Sequence, residues 1–105
     1  MTRVTFGPCS IRIEGHAKAV ESGVDPVCAG VSALGFTLLA AADERPEFHP
    51  HVYANQDKAV LDVQCYPDED AKEQCEYLFS IIHAGLRLIE SENKDFLRIG
   101  GSVHG

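Results

Sequence analysis

Residues 25–42, "DPVCAGVSALGFTLLAAA", carry the pattern on which the architecture turns. Asp25 is a strong helix N-cap, because its carboxylate accepts from free main-chain N–H groups. Pro26 suits the first helical position, where its missing N–H leaves nothing unpaired. The helix is expected to run from Pro26 to about Ala42. Val27, Val31, Leu34, Leu38 and Ala41 recur at three- and four-residue intervals and form an apolar face, which Phe36 and Leu39 widen. This is the pattern of a core helix. Gly30 and Gly35 lower its intrinsic propensity and point to close backbone packing.

Upstream, "TRVTF" at 2–6 and "SIRIE" at 10–14 read as two short strands joined at Gly7-Pro8, with Ile11 and Ile13 alternating against Arg12 and Glu14. Residues 15–24 are small and polar and read as a loop. Downstream, "ADERPEFHP" at 42–50 is a polar connection. "HVYAN" and "KAVLDVQCY" then form a second hairpin, turning at Asn55-Gln56-Asp57, in which Ala59, Leu61, Val63 and Cys65 alternate with Val60, Asp62, Gln64 and Tyr66. A long helix is expected from Asp68 to about Ser91, with Ala71, Cys75, Leu78, Ile82, Leu86 and Ile89 on one stripe and acids in its first turn. "DFLRIG" at 95–100 reads as a last strand before a Gly-rich tail. The order ββαββαβ implies an α+β fold, a mixed, mainly antiparallel sheet covered by two helices. At 105 residues the chain is read as a single domain, 1–105.

Sixteen acidic against nine basic residues give a formal charge of −7, and no Lys/Arg cluster occurs. Direct binding to nucleic acid is therefore not expected, whereas a basic protein or peptide would be attracted. "MTRVTF" lacks the basic-then-apolar pattern of a secretory signal, and no apolar run is read as reaching membrane-spanning length. A cytoplasmic location without a membrane partner is expected. Cys9, Cys28, Cys65 and Cys75 are accordingly read as thiols. Cys65 and Cys75 are expected in the core, and Tyr66, Tyr77 and Phe79 as packing or interface residues.

His16 and Cys28 stand twelve positions apart. With Asp25 as cap, Cys28 is the third helical residue, inside the positive end of the helix dipole, where a thiolate is stabilised. The Asp25 charge opposes that effect. A Cys-His pair could run acyl transfer, the imidazole taking the thiol proton and later protonating the leaving amine, with N–H groups at the helix start binding the oxyanion. The same residue types equally describe a small buried hydrophobe and a loop histidine bonded to backbone. Ser32, one turn after Cys28, either lies near the pair or bonds the carbonyl four residues back.

"GHA" at 15–17, the acidic Glu21, Gly23, Asp25, then Val27-Cys28 and "AGVSAL" at 29–34 together resemble the signature of the ribosomal-processing cysteine protease family, Prp. That signature is approximately G-H-A, a short loop, G-x-D-I-V-C and A-x-V-S-A-L, with the same step from His to Cys. The resemblance implies a small homodimeric protease that uses no cofactor. Its substrate would be the N-terminal extension, containing a Phe-Phe-Ala-type site, of the twenty-seventh large-subunit ribosomal protein, a basic partner. It implies Cys28 as nucleophile and His16 as base, with Gly15, Asp25 and Ser32 shaping the site. Lys18, Ala19 and Ser22 depart from the glycine and aromatics often found in the loop, so the closure of residues 17–24 over substrate is the part least carried over. Pro26 replaces the usual Ile and preserves the helix start.

Two other readings compete. "HPH" places His49 and His51 two apart, and Cys65, Cys75 and His104 could join them in a metal site, although no recognised zinc spacing is present. Alternatively the sheet and the 68–91 helix form a non-catalytic dimeric interaction module in which Cys28 is incidental.

Overall fold

A computed structural model describes residues 1–17, 23 and 25–103. The period-two pattern at the N-terminus builds the centre of a five-stranded sheet. Strand β1 (Thr2–Gly7) turns Thr2, Val4 and Phe6 inward, and β2 (Ser10–Glu14) turns Ile11 and Ile13 inward. Helix α1 (Pro26–Asp43) follows, then β3 (Pro50–Asn55), β4 (Val60–Cys65), helix α2 (Lys72–Glu92) and β5 (Leu97–Gly101). The sheet order is β3-β4-β2-β1-β5; every pairing is antiparallel except β1 with β5. This is the expected ββαββαβ, α+β architecture with a mixed sheet. Both helices lie on the inner face, over Ile13, Leu61, Val63 and Leu97. The outer face is polar, with Arg12 bridging Glu14 and Asp62 at 2.7 and 2.9 Å.

The helices meet through small residues. A Cβ on Gly30 would stand 3.0 Å from Ile89, and one on Gly85 3.0 Å from Leu34, so glycine lets the two axes approach. Leu34, Leu78 and Ile89 are accordingly only partly buried, and Phe79 joins Cys75, Ile82 and Leu86 on the sheet-facing side of α2. Gly35 corrects the expected face of α1. It is buried on the sheet, where a Cβ would come within 2.9 Å of Ile13 and 3.2 Å of Leu61. With glycine in that position, Phe36 is rotated about 100° away and is 55% exposed rather than in the core. Reading hydrophobicity alone ranks Phe above Gly; the closeness of the sheet reverses that order.

The structure differs from the expected pattern at three further places. The polar connection contains a short 3-10 turn, Pro46–Phe48, whose Phe48 is buried. A 3-10 turn, Glu69–Ala71, precedes α2. The Gly-rich tail returns to the core through Val103, with Ser102 N–H donating to the Phe6 carbonyl. By length and composition α1 is also apolar enough to cross a membrane, against the expectation that no run was. Its many Ala and Leu residues produce that average, and here the helix packs on the sheet and on α2.

Cys65 and Cys75 are buried as expected, and Cys9 packs against them. The Cys75 thiol hydrogen-bonds with both others, and burial pushes all three thiols above their ordinary range. Because these groups stay protonated in the fold while the unfolded chain ionises first, their contribution to stability is complete below about pH 8.5. It is lost as pH rises through the raised native values. The thermal midpoint should therefore fall between about pH 8 and pH 10, and fall less steeply in Cys75→Ala. A melt series with equal slopes in the two proteins would count against this assignment.

Candidate active site

The start of α1 is built as the sequence implies. Asp25 is the N-cap, and its Oδ1 accepts from the N–H of Val27 at 2.9 Å and of Cys28 at 3.2 Å. Cys28 is thus the third helical residue. The cap has a consequence that corrects the expected oxyanion hole. Pro26 has no N–H, the next two N–H groups are taken by the Asp25 carboxylate, and Ala29 N–H donates to the Asp25 carbonyl at 2.9 Å. No main-chain donor in the first turn of α1 is left for a substrate. Asp25→Ala, by removing the cap, should cost about 1 kcal/mol and Asp25→Asn much less; comparing their melts checks this.

His16 and Ala17 follow β2 on a segment held at several points. Gly15 N–H donates to the Ala59 carbonyl at 2.8 Å, and Thr2 Oγ1 donates to the Gly15 carbonyl at 3.4 Å. Gly15 has φ +84°, and a Cβ there would lie 2.6 Å from the Met1 carbonyl oxygen, so only glycine fits. Ala17 is 2% exposed, and its N–H donates to Cys28 Sγ at 3.2 Å. Reach between the end of β2 and the start of α1, which spacing alone leaves open, is realised in that contact. The expected closing loop, 17–24, falls outside the described residues except for Ala17 and Gly23.

His16 is exposed and Cys28 partly exposed, and both line one cavity of about 370 Å³ with Gly15 and Ser32. Its walls are Ile13, Val31, Phe36 and Leu61, and the β3–β4 turn closes it with Ala54, Asn55, Gln56 and Ala59. Four of the five sequence candidates therefore converge on one depression, while Asp25 caps the helix that carries Cys28. The turn residues and Phe36 were missed. Asn55 was legible only as a turn former, and its side chain does accept from Lys58 N–H at 3.0 Å. Among the described residues the lining is mainly apolar and includes no Asp, Glu, Lys or Arg, which suits uncharged side chains flanking a scissile bond.

The competing histidines are engaged separately. His49 Nε2 lies 2.9 Å from Asp68 Oδ1, and the His51 ring packs edge-on against Tyr66 with centroids 5.1 Å apart. Among the described residues no group of three or more His, Cys, Asp or Glu side chains is placed to hold a metal ion; His104 lies outside them.

A partly exposed thiol at a capped helix start, sharing an apolar depression with a histidine, is the arrangement of a cysteine hydrolase. Comparison with known proteins agrees. The family model described as cysteine protease Prp matches residues 1–98. The ribosomal processing cysteine protease Prp of Bacillus subtilis is 31% identical over 100 residues, covering 92% of this chain and 88% of that protein. The Staphylococcus aureus protease Prp, solved with a covalently linked product peptide, superposes with a TM-score of 0.79 at 20% identity, covering 96% of this chain and 97% of that one. A Streptococcus mutans protein superposes with a TM-score of 0.77 at 22% identity, covering 96% and 93%. At these identities the two structures establish likeness of fold. The protein is a cysteine protease. The chain belongs to the Prp family of ribosomal processing cysteine proteases.

Proposed function

We propose that this protease removes the N-terminal extension of the twenty-seventh large-subunit ribosomal protein, with Cys28 as nucleophile and His16 as general base. The observation that carries the reading is the cavity that both side chains line, with Cys28 partly open to it. His16 takes the thiol proton as Sγ attacks the scissile carbonyl carbon, and the carbonyl π pair moves onto oxygen. Collapse of that tetrahedral species expels the amine, which receives the proton from the His16 imidazolium. Water, deprotonated by the same imidazole, then hydrolyses the thioester and frees Cys28. Gly15 sets the path of the His16 segment, Asp25 orients the helix start, and Ser32 lies on the cavity wall. The apolar walls suit a Phe-Phe-Ala-type segment, and the charge of −7 suits a basic ribosomal protein. None of the four cysteines is in a disulfide, in keeping with a cytoplasmic location.

The test is incubation with a peptide carrying the ribosomal extension, with products identified by mass. One cut at the extension boundary is expected; an intact peptide after prolonged incubation with folded enzyme would overturn the reading.

The proposed assembly is a homodimer. Tyr77, Ile81, Ala84 and Leu88 line the outer side of α2, all exposed, at the four-three-four spacing of a helix-pairing seam. A second copy laid antiparallel brings Tyr77 against Leu88 and Ile81 against Ala84. Leu88→Glu should halve the mass found by sedimentation; an unchanged dimer would place the interface elsewhere.

A further inference from the structure

The capped helix leaves a chemical need unmet. Acyl transfer to Cys28 develops negative charge on the former carbonyl oxygen, and cysteine proteases require donors aimed at it. The first-turn N–H groups of α1 are engaged by Asp25 or absent at Pro26. We infer that the Ala17 main-chain N–H is the oxyanion donor of this enzyme. It already touches the reacting atom, 3.2 Å from Cys28 Sγ. Once Sγ bonds to the scissile carbon, the oxygen of that carbon lies two bonds from the sulfur. A donor in contact with the sulfur can turn to it with little movement. During attack the C–S bond forms, the C=O π pair becomes the oxygen lone pair, and the N–H that faced sulfur then faces that oxygen. On collapse the pair re-forms the carbonyl and the amine departs with the His16 proton.

The position of this donor is fixed by structure on both sides. The buried Ala17 side chain anchors it, and the Gly15 main chain ties the segment to Ala59 and Thr2. Base and donor thereby come from adjacent residues of one braced strand end, which explains how a helix start closed by its own cap can still serve catalysis. The inference rests on Cys28 being the nucleophile, and its test separates the two ideas.

Native chemical ligation at Cys28 allows residues 1–27 to be made with an ester in place of the His16–Ala17 amide, which replaces this single N–H by oxygen. An all-amide chain made in the same way is the reference. The ester enzyme is expected to lose about 10²- to 10³-fold in kcat with KM unchanged. Iodoacetamide alkylation of Cys28, which forms no oxyanion, should fall far less than kcat, by only what the lost hydrogen bond to the sulfur costs the thiolate. Full kcat in the ester enzyme overturns the inference. So does an equal fall in kcat and alkylation, which would place the role of the N–H at the sulfur. If the reference itself cuts nothing, the nucleophile assignment fails and the inference with it. A second readout needs no variant. In uniformly ¹⁵N-labelled enzyme, a peptide aldehyde that adds to Cys28 should move the Ala17 amide proton downfield. An unmoved Ala17 signal beside a shifted Cys28 or Val27 amide would return the oxyanion to α1 and overturn the inference.

Discussion

Cys28→Ala is expected to abolish peptide cleavage, a loss on the order of 10⁶ in kcat, while melting within about 1 kcal/mol of the parent. The side chain is only partly buried and its sulfur accepts a hydrogen bond from Ala17. Its removal therefore leaves the core intact and the reaction without an electron pair to attack the carbonyl. His16→Ala should fall comparably, because nucleophile and base act as a unit whose losses do not add. His16 is exposed, so its removal is also mild for the fold. The two variants differ in one respect: His16→Ala keeps a thiol that iodoacetamide still modifies. Cleavage and alkylation assays on both, beside thermal melts, check the pair. Residual site-specific cutting by Cys28→Ala would reject Cys28 as nucleophile, and normal cutting by His16→Ala would move the base elsewhere.

Gly15→Ala is the second large effect and works through the backbone. A φ of +84° costs a non-glycine residue about 1–3 kcal/mol. In addition the new Cβ would lie 2.6 Å from the Met1 carbonyl oxygen, main chain that cannot swing aside as a side chain would. The strain is relieved by moving residues 15–17 away from β1, which carries the Ala17 N–H off the sulfur and displaces His16 in the cavity it shares with Cys28. A lowered melting midpoint together with a fall of at least about tenfold in kcat is expected, and a largely preserved KM, since the apolar walls at Val31, Phe36 and Leu61 do not depend on Gly15. Unaltered kcat at saturating substrate would show that the segment is not held as described. Gly101 offers a control: φ +79° and a Cβ 2.0 Å from the Phe6 carbonyl oxygen make Gly101→Ala destabilising, at the far edge of the sheet from the site.

Much of this molecule is written in short-range pattern. Asp25-Pro26 announces the start of α1 because a cap acts within three residues, and the alternations at 2–6, 10–14 and 60–65 place strand faces because the period of two is a property of the pleat itself. From these alone the order of elements and the third helical position of Cys28 follow, while His16 and Cys28 as a pair, with Gly15, Asp25 and Ser32 around them, are singled out by the resemblance to the Prp signature. Tertiary structure decided what no local pattern encodes. It paired β1 with β5 in parallel, a contact across ninety-odd residues, and it brought the β3–β4 turn over the site to form one wall of the cavity. The sheet's approach to α1 put Gly35 inward and Phe36 outward. Finally, the direction of the Asp25 carboxylate closed the helix N–H groups to substrate and left Ala17 facing the sulfur. Local signals arise from torsional preference and nearest-neighbour bonding, so one segment suffices to read them. Sheet order, close approach and the choice of donor depend on where distant segments come to rest.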